Sequence, residues 1–193
     1  MADALFSSLL DRLHPCGPVL AGSNSDFVFE MLYEVAKAEG WREVLAEAEP
    51  ALRPVAAGSP YLSGLMRRDP QRLRETLITA PEARLKAILL AVEAMGQQAL
   101  TVEAPDMAGA RKVLRHLKAD CHLLTALADL GGVWSLDQVT AALSRFADAV
   151  TAAALALVVR EERDRGRLRP DADLNGARGV LPGLFVLAMG KHG

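Results

Sequence analysis

Cysteine and aromatic residues are scarce in this 193-residue sequence, and neither sign of charge is in excess. Its two cysteines, Cys16 and Cys121, form no C-x-x-C pair, so neither a disulfide framework nor a structural zinc cluster is indicated. Aromatic residues make up 5% of the chain, too few for the usual core of a β-sandwich. Lys and Arg number 22 against 24 Asp and Glu, a net charge of −2 that does not indicate a partner among nucleic acids or acidic lipids. Any basic site must therefore be formed by a small group of residues and not by the charge of the whole chain.

The sequence also lacks a long hydrophobic run and a basic N-terminal leader. Its longest apolar stretch, 149–159, falls well short of the roughly 20 residues that a membrane helix needs. Residues 1–4 carry no positive side chain. We therefore expect a cytoplasmic protein without export or membrane anchoring, with its cysteines reduced.

Helix-forming residues dominate what is present, since alanine and leucine together make up a third of the chain. Helix starts are indicated by N-cap side chains followed by proline, as at Ser59-Pro60 and Asp69-Pro70, and by a capping box at Ser135 to Gln138. These signals predict an all-α antiparallel helical bundle over residues 1–166. The predicted helices cover residues 2–14, 25–39, 41–49, 60–68, 70–78, 81–100, 105–130 and 136–165.

The last part of the chain has a different pattern. Residues 167–182 are rich in Asp, Gly and Pro and are predicted to be a linker. The run 184–189 is entirely apolar and bounded by Gly183 and Gly190, which is typical of a strand buried on both faces. Because a strand needs partners and none precedes it, residues 183–193 are interpreted as the truncated start of a further domain.

A Gly-containing turn follows this predicted strand: Gly190-Lys191-His192-Gly193. Such a turn lets backbone N–H groups approach a phosphate, and a lysine adds charge. The stretch from Ala188 to Gly193 resembles the turn that opens the nucleotidyltransferase fold in the N-terminal half of the glutamine synthetase adenylyltransferase/adenylyl-removing enzymes. The Ser59 to Leu62 and Leu65 to Pro70 stretches, and the segment 114–131, resemble blocks that precede that fold in the same family.

This resemblance implies a parent enzyme that transfers AMP to and from glutamine synthetase under the control of a PII signal protein and glutamine, using ATP or ADP and Mg²⁺. It also implies a partial nucleotide-binding turn at Gly190, Lys191 and Gly193. The Mg²⁺ would be held by an Asp-x-Asp pair beyond the turn, and no such pair follows Gly193 in this sequence. We therefore expect an inactive helical fragment of the adenylyl-removing half, with no catalytic residue, metal ligand or bound cofactor of its own.

A basic stripe is predicted on the 105–130 helix, because Arg111, Arg115 and Lys118 recur at i, i+4 and i+7 and so share one face. They could face a phosphate or a partner, or they could form a solvated face paired with acids of the next helix, namely Glu161, Glu162 or Asp164. His116, Cys121 and His122 have spacings that place them on different faces, which argues against a metal site.

An alternative to the enzyme fragment is a freestanding helical protein-interaction module. In that case the apolar run 184–189 would be a docking segment and not a severed strand. In either case, unpaired backbone groups and exposed apolar side chains in this run predict self-association through residues 184–189.

Overall fold

The structure is a computed structural model and describes residues 7–19, 24–99, 106–168 and 186–187. Within these ranges it contains α-helices and one short 3₁₀ helix, Leu10–Arg12, and no strand, in agreement with the predicted all-α class. The helices are α1 (Ser25–Ala38), α2 (Arg42–Gly58), α3 (Pro60–Arg68), α4 (Pro70–Ile78), α5 (Pro81–Gln98), α6 (Met107–Leu130) and α7 (Leu136–Asp164).

Helix α2 ends nine residues later than the predicted 41–49, because it continues through Pro50 and Pro54 to Gly58. Each proline removes one backbone donor, which normally ends a helix. Here the second half of α2 buries Leu52 and Val55 completely or almost completely. We attribute the continuation to this burial, which offsets the lost hydrogen bonds and cannot be seen in the local sequence.

The prediction of a helix over 2–14 is wrong for its described part, where only Leu10–Arg12 is helical and the turn is 3₁₀. Ser8 and Asp11 form a local set of hydrogen bonds, including Ser8 Oγ to Asp11 Oδ2 at 2.7 Å. Leu13 is extended, and the His14 N–H bonds to the carbonyl of Gly131. Side-chain to backbone bonding and the following Pro15 therefore replace the helix.

Predicted caps explain the starts of α3 and α4. The hydroxyl of Ser59 accepts a hydrogen bond from the Leu62 N–H at 3.2 Å, and the carboxylate of Asp69 accepts one from the Arg72 N–H at 3.0 Å. Proline occupies the first position of both helices. Two short helices are thus started by local chemistry alone.

The chain divides into two compact units, and the first comprises residues 1–87 and 119–142. Helices α1 to α4 pack on one another in this unit. Its core is built from large side chains that are almost completely buried: Leu9, Phe29, Leu32, Trp41, Leu45, Leu52, Met66, Leu73, Leu77, Leu123, Leu124 and Leu127. Leucine supplies most of this core.

The second unit comprises residues 88–118 and 143–193. Its core cluster contains Met95, Ala99, Ala110, Ala156 and Leu157, with Met107 and Leu114 packed against it. Small side chains let helices approach closely: a Cβ on Gly96 would lie 3.2 Å from the Ala153 Cα. The alanine-rich composition of α7 is therefore used for close packing.

Helix α7 passes the length and composition test for a membrane span, the only described helix that does, and one third of the tested window is buried. A core helix of a protein outside the membrane passes the same test. The 149–159 stretch therefore lies within a longer apolar helix. The length and composition of one such helix are weak evidence for a membrane span.

The predicted strand 184–189 lies mostly outside the described residues. Of its members the structure describes Val186 and Leu187, which are exposed and in no regular secondary structure. The linker 167–182 is described only to Leu168. The strand, the linker bounds and the domain start at 183–193 stay predictions.

Candidate functional site

The predicted nucleotide-binding turn at Gly190, Lys191 and Gly193 lies outside the described residues. The sites that can be built from geometry are therefore the basic stripe on α6 and the polar groups around it. The first unit adds two networks of charged side chains.

The predicted stripe residues Arg111, Arg115 and Lys118 are all exposed on the first half of α6. Lys112 is also exposed beside them. The opposite side of the same helix is buried through Ala110 and Leu117. Helical geometry, at about 100° per residue, keeps Arg111, Arg115 and Lys118 within an arc of roughly 60°. The structure therefore presents these three cations together to solvent.

The acids proposed as their partners bond elsewhere. Asp164 pairs with Arg160 at 3.3 Å, and Glu161 pairs with Arg165 at 2.6 Å. Glu162 accepts hydrogen bonds from Arg165 and from Arg167. Across the ranges that the structure describes, Arg111, Arg115 and Lys118 form no ion pair. The predicted pairing of these cations with the acids of the next helix is therefore not found among the described residues.

His116, Cys121 and His122 are not arranged as a metal site. Cys121 is fully buried, whereas His116 is exposed. His122 shares a hydrogen bond of 2.8 Å through Nδ1 with the Tyr61 hydroxyl. Burial, and next the nearby Asp120 carboxylate, raise the pKa of the Cys121 thiol to about 12. Cys121 is therefore a core thiol that does not ionise at neutral pH.

The block around Ser59 to Pro70, which carries part of the family resemblance, has a structural role. Ser59 and Asp69 cap helices, and Tyr61 stacks edge-on against the ring of His122 with centroids 5.9 Å apart. Ser59, Tyr61 and Asp69 thus start or anchor α3 and α4. None of these contacts indicates catalysis.

A buried ionic network joins α4, α5 and α6 in the first unit. Arg72 Nε donates to Asp120 Oδ1 at 2.5 Å, and the side chains of both residues are 6% exposed. Arg84 Nη2 lies 3.5 Å from the other carboxylate oxygen of Asp120 and pairs with Glu75 at 2.9 Å. Arg72 also pairs with Asp69 at 3.2 Å. One carboxylate therefore ties three helices together.

Sequence reasoning missed this network, although a signal for it was present. Asp120 lies three residues after Leu117 and directly before Cys121, on the apolar stripe of α6. Arg72 occupies a comparable place beside Leu73 on α4. A charge within an apolar stripe predicts a buried pair, but its partner on another helix is visible only in three dimensions.

A second network surrounds Glu82 at the start of α5. Arg12 Nη1 lies 3.0 Å from Glu82 Oε2, and the Trp134 indole N–H donates to Oε1 at 3.0 Å. Burial raises the pKa of Glu82, but the hydrogen bonds from Trp134, from its own backbone N–H and from Arg12 outweigh burial and leave it below the ordinary value. Glu82 therefore stays ionised and fixes both the N-terminal segment and the α6–α7 connection.

An open groove of about 550 Å³ runs between α5 and α7 in the second unit. Leu89 and small residues such as Ala149 and Ala152 line it, together with the charged residues Glu93, Arg145 and Asp148. In the part of the chain that the structure describes, no group of three His, Cys, Asp or Glu side chains could hold a metal ion. The described residues that line the groove thus form no metal site.

Comparison with known proteins gives consistent family matches. A family model described as glutamate-ammonia ligase adenylyltransferase matches residues 50–193. The chain is 52% identical, over 97% of its length, to a protein of Caulobacter vibrioides named bifunctional glutamine synthetase adenylyltransferase/adenylyl-removing enzyme. It is 38% identical over its whole length to a protein of that name from Bradyrhizobium diazoefficiens, and 43% identical over 74% of its length to one from Rhodopseudomonas palustris.

These matches cover only part of each relative. The chain corresponds to 18% of the Caulobacter protein, 19% of the Bradyrhizobium protein and 14% of the Rhodopseudomonas protein. No solved structure matches the chain.

Proposed function

This chain belongs to the glutamate-ammonia ligase adenylyltransferase family, and from that premise we propose that it forms the helical region preceding the catalytic fold of the adenylyl-removing half of a bifunctional enzyme. The observation that carries the proposal is the family match, which runs from within α2 through α7 to Gly193. It therefore includes the second half of α2, helices α3 to α7 and the predicted Gly190 to Gly193 turn.

The proposed reaction of the whole enzyme is phosphorolysis of adenylyl-tyrosine on glutamine synthetase. A phosphate oxygen attacks the phosphorus of the AMP group, the bond from phosphorus to the tyrosine oxygen breaks, and that oxygen takes up a proton. The products are ADP and free tyrosine on the protein. Magnesium would stabilise the charge that develops on the phosphates. No described residues form a group suited to holding it, so we assign these helices no step through the metal.

The role proposed for the described residues is support. Caps at Ser59 and Asp69 start α3 and α4, and Asp120 links α4 and α5 to α6 through buried arginines. Such buried links make the helices a firm base for an adjoining domain. Lys191 and the neighbouring glycines would then contribute one phosphate-facing turn to that domain.

A segment exchange tests the proposal. The matched segment of the Caulobacter relative is replaced by this chain, and two activities are measured: ADP release from adenylylated glutamine synthetase, and AMP attachment from ATP. We expect both activities to be retained. Lys191→Ala in the exchanged enzyme should lower ADP release about 100-fold, as for loss of one stabilising cation, and leave AMP attachment unchanged.

Lys86→Ala, on the exposed surface of α5, is the matched control and should change neither activity. We further propose that the chain alone releases no ADP, which the same assay measures. An exchanged enzyme without either activity, or a Lys191→Ala variant with normal ADP release, would contradict the proposal.

We also propose, from the resemblance, that a PII protein controls the whole enzyme. From the apolar character and unpaired backbone groups of residues 184–189, we propose that this run mediates self-association of the isolated chain. Val186 and Leu187 are 61% and 77% exposed, which supports an apolar contact surface. Deletion of 183–193 should abolish any dimer seen by sedimentation and leave helical content unchanged. A deletion variant that unfolds, or stays as oligomeric, argues against this assignment.

A further inference from the structure

The first half of α6 carries a concentration of positive charge that the rest of the described chain does not neutralise. No acidic residue occurs between Met107 and Ala119, although the whole chain has a net charge of −2. Arg111, Arg115 and Lys118 are exposed, and Lys112 lies beside them. We call Arg111, Arg115 and Lys118 together the α6 basic stripe.

The acids of α7 do not compensate this stripe. Glu161, Glu162 and Asp164 are engaged with arginines of the same helix or of the residues directly after it, at 2.6 to 3.3 Å. Three cations spaced over about 10 Å of helix raise the local potential within one Debye length at physiological salt. An anionic partner surface of matching size would gain from the contact.

The dimensions of the stripe favour a protein over a nucleic acid or a membrane. DNA-binding proteins typically neutralise about 6 to 10 phosphates, more than three or four cations can reach. An amphipathic helix that enters a membrane surface needs a free apolar face. The apolar face of α6 is already buried through Ala110, Leu117 and Cys121. An acidic patch on a protein surface needs neither more cations nor a free apolar face on α6, and so it fits the stripe better.

We propose that the α6 basic stripe is a docking surface for an acidic patch on glutamine synthetase. Its identification as the partner rests on the proposed function, whereas the acidic chemistry of the patch follows from the stripe itself. Ion pairs between the two surfaces would steer the encounter and fix its orientation. The contact would be sensitive to salt, because the cations are exposed.

Binding of the 193-residue chain to immobilised adenylylated glutamine synthetase tests this inference. The test variant combines Arg111→Gln, Arg115→Gln and Lys118→Gln, which keep helix propensity and remove three charges. The control combines Lys37→Gln, Lys86→Gln and Arg163→Gln, three exposed cations on α1, α5 and α7. A third variant exchanges Arg and Lys within the stripe and keeps its charge.

We expect the stripe variant to bind about tenfold more weakly at 50 mM salt and less than about twofold more weakly at 500 mM. The control and charge-preserving variants should bind like the unchanged chain, and circular dichroism should show equal helicity for all. If the stripe and control variants bind equally weakly, the loss of binding comes from the change in net charge alone, and the inference is overturned. Tighter binding to duplex DNA than to glutamine synthetase would also overturn it.

The proposed function is judged separately. If the exchanged Caulobacter enzyme is active but the chain does not bind glutamine synthetase, or binds it independently of the stripe, the docking inference fails and the proposed function stands. If the exchanged enzyme lacks both activities, the proposed function fails, whatever the stripe binds.

Discussion

Replacing Asp120 by alanine should destabilise the first unit far more than replacing a surface acid. The change leaves the Arg72 guanidinium, whose side chain is 6% exposed, without its 2.5 Å partner. Removing one member of a buried ion pair typically costs about 3–5 kcal/mol, because the remaining charge stays desolvated. Arg72 keeps its contact with Asp69 at 3.2 Å, which moderates the loss. We expect about 3 kcal/mol.

The chain supplies its own control. Asp26 and Arg53 also approach to 2.5 Å, but the Asp26 side chain is 91% exposed. Asp26→Ala should therefore cost at most about 1 kcal/mol, because water replaces the lost partner. The two substitutions differ mainly in burial and not in the distance within the pair.

Urea unfolding monitored by tryptophan fluorescence measures the free energy of unfolding of the first unit for both substitutions. Trp41 and Trp134 are buried and belong to the same unit as Asp120 and Asp26. The double variant Arg72→Met with Asp120→Leu should recover most of the stability, because neither member of the most buried pair is left charged without the other, and Arg84 keeps Glu75. A loss below about 1 kcal/mol for Asp120→Ala, or a double variant that sums both single losses, would refute the reasoning.

Three further predictions concern other positions. Ellman's reagent at pH 8 should titrate one thiol, the exposed Cys16, in the folded chain and two in urea, because the pKa of buried Cys121 is raised to about 12; two rapid thiols in the folded state would contradict this. Glu82→Gln should lower the free energy of unfolding by about 1–2 kcal/mol at pH 7. Since folding lowers the pKa of Glu82, its stabilisation is present above the ordinary value of 4.5 and is lost as pH falls through the lowered value. The urea unfolding curves of variant and parent should therefore converge on acidification below that lowered value, and a gap unchanged by pH would disprove this. Gly131→Ala should lower the thermal midpoint, because its Cβ would lie 2.3 Å from Leu13 Cδ2 and 2.7 Å from the backbone carbonyl oxygen of Leu127, which cannot rotate away; an unchanged midpoint would contradict this.

The all-α class and most helix starts could be predicted from the sequence because both depend on local chemistry. Ser59 and Asp69 cap α3 and α4 through hydrogen bonds to residues three positions along the chain. Such bonds need no distant partner. The error in the length of α2 has the opposite cause, because Pro50 and Pro54 act locally against the helix and burial of the following turns overrides them.

The basic stripe could be predicted as a set of residues, because helical periodicity alone aligns Arg111, Arg115 and Lys118. Its lack of ion pairs with Glu161 and Asp164 could not be predicted, because the sequence allows these acids to pair either with the stripe or with other arginines. The structure assigns these acids to arginines near them on α7 and after it.

The sequence by itself determined the helical class, the caps, the family resemblance and the residues of the α6 stripe, all of which depend on neighbours within about one helical turn or on motif order. Only the tertiary structure decided that Asp120 binds Arg72, 48 positions away in the chain, and that Glu82 joins Arg12 to Trp134. The physical reason is that a buried charge must be paired, but several partners satisfy that need equally well in the sequence. The choice among them is made by the packing of whole helices.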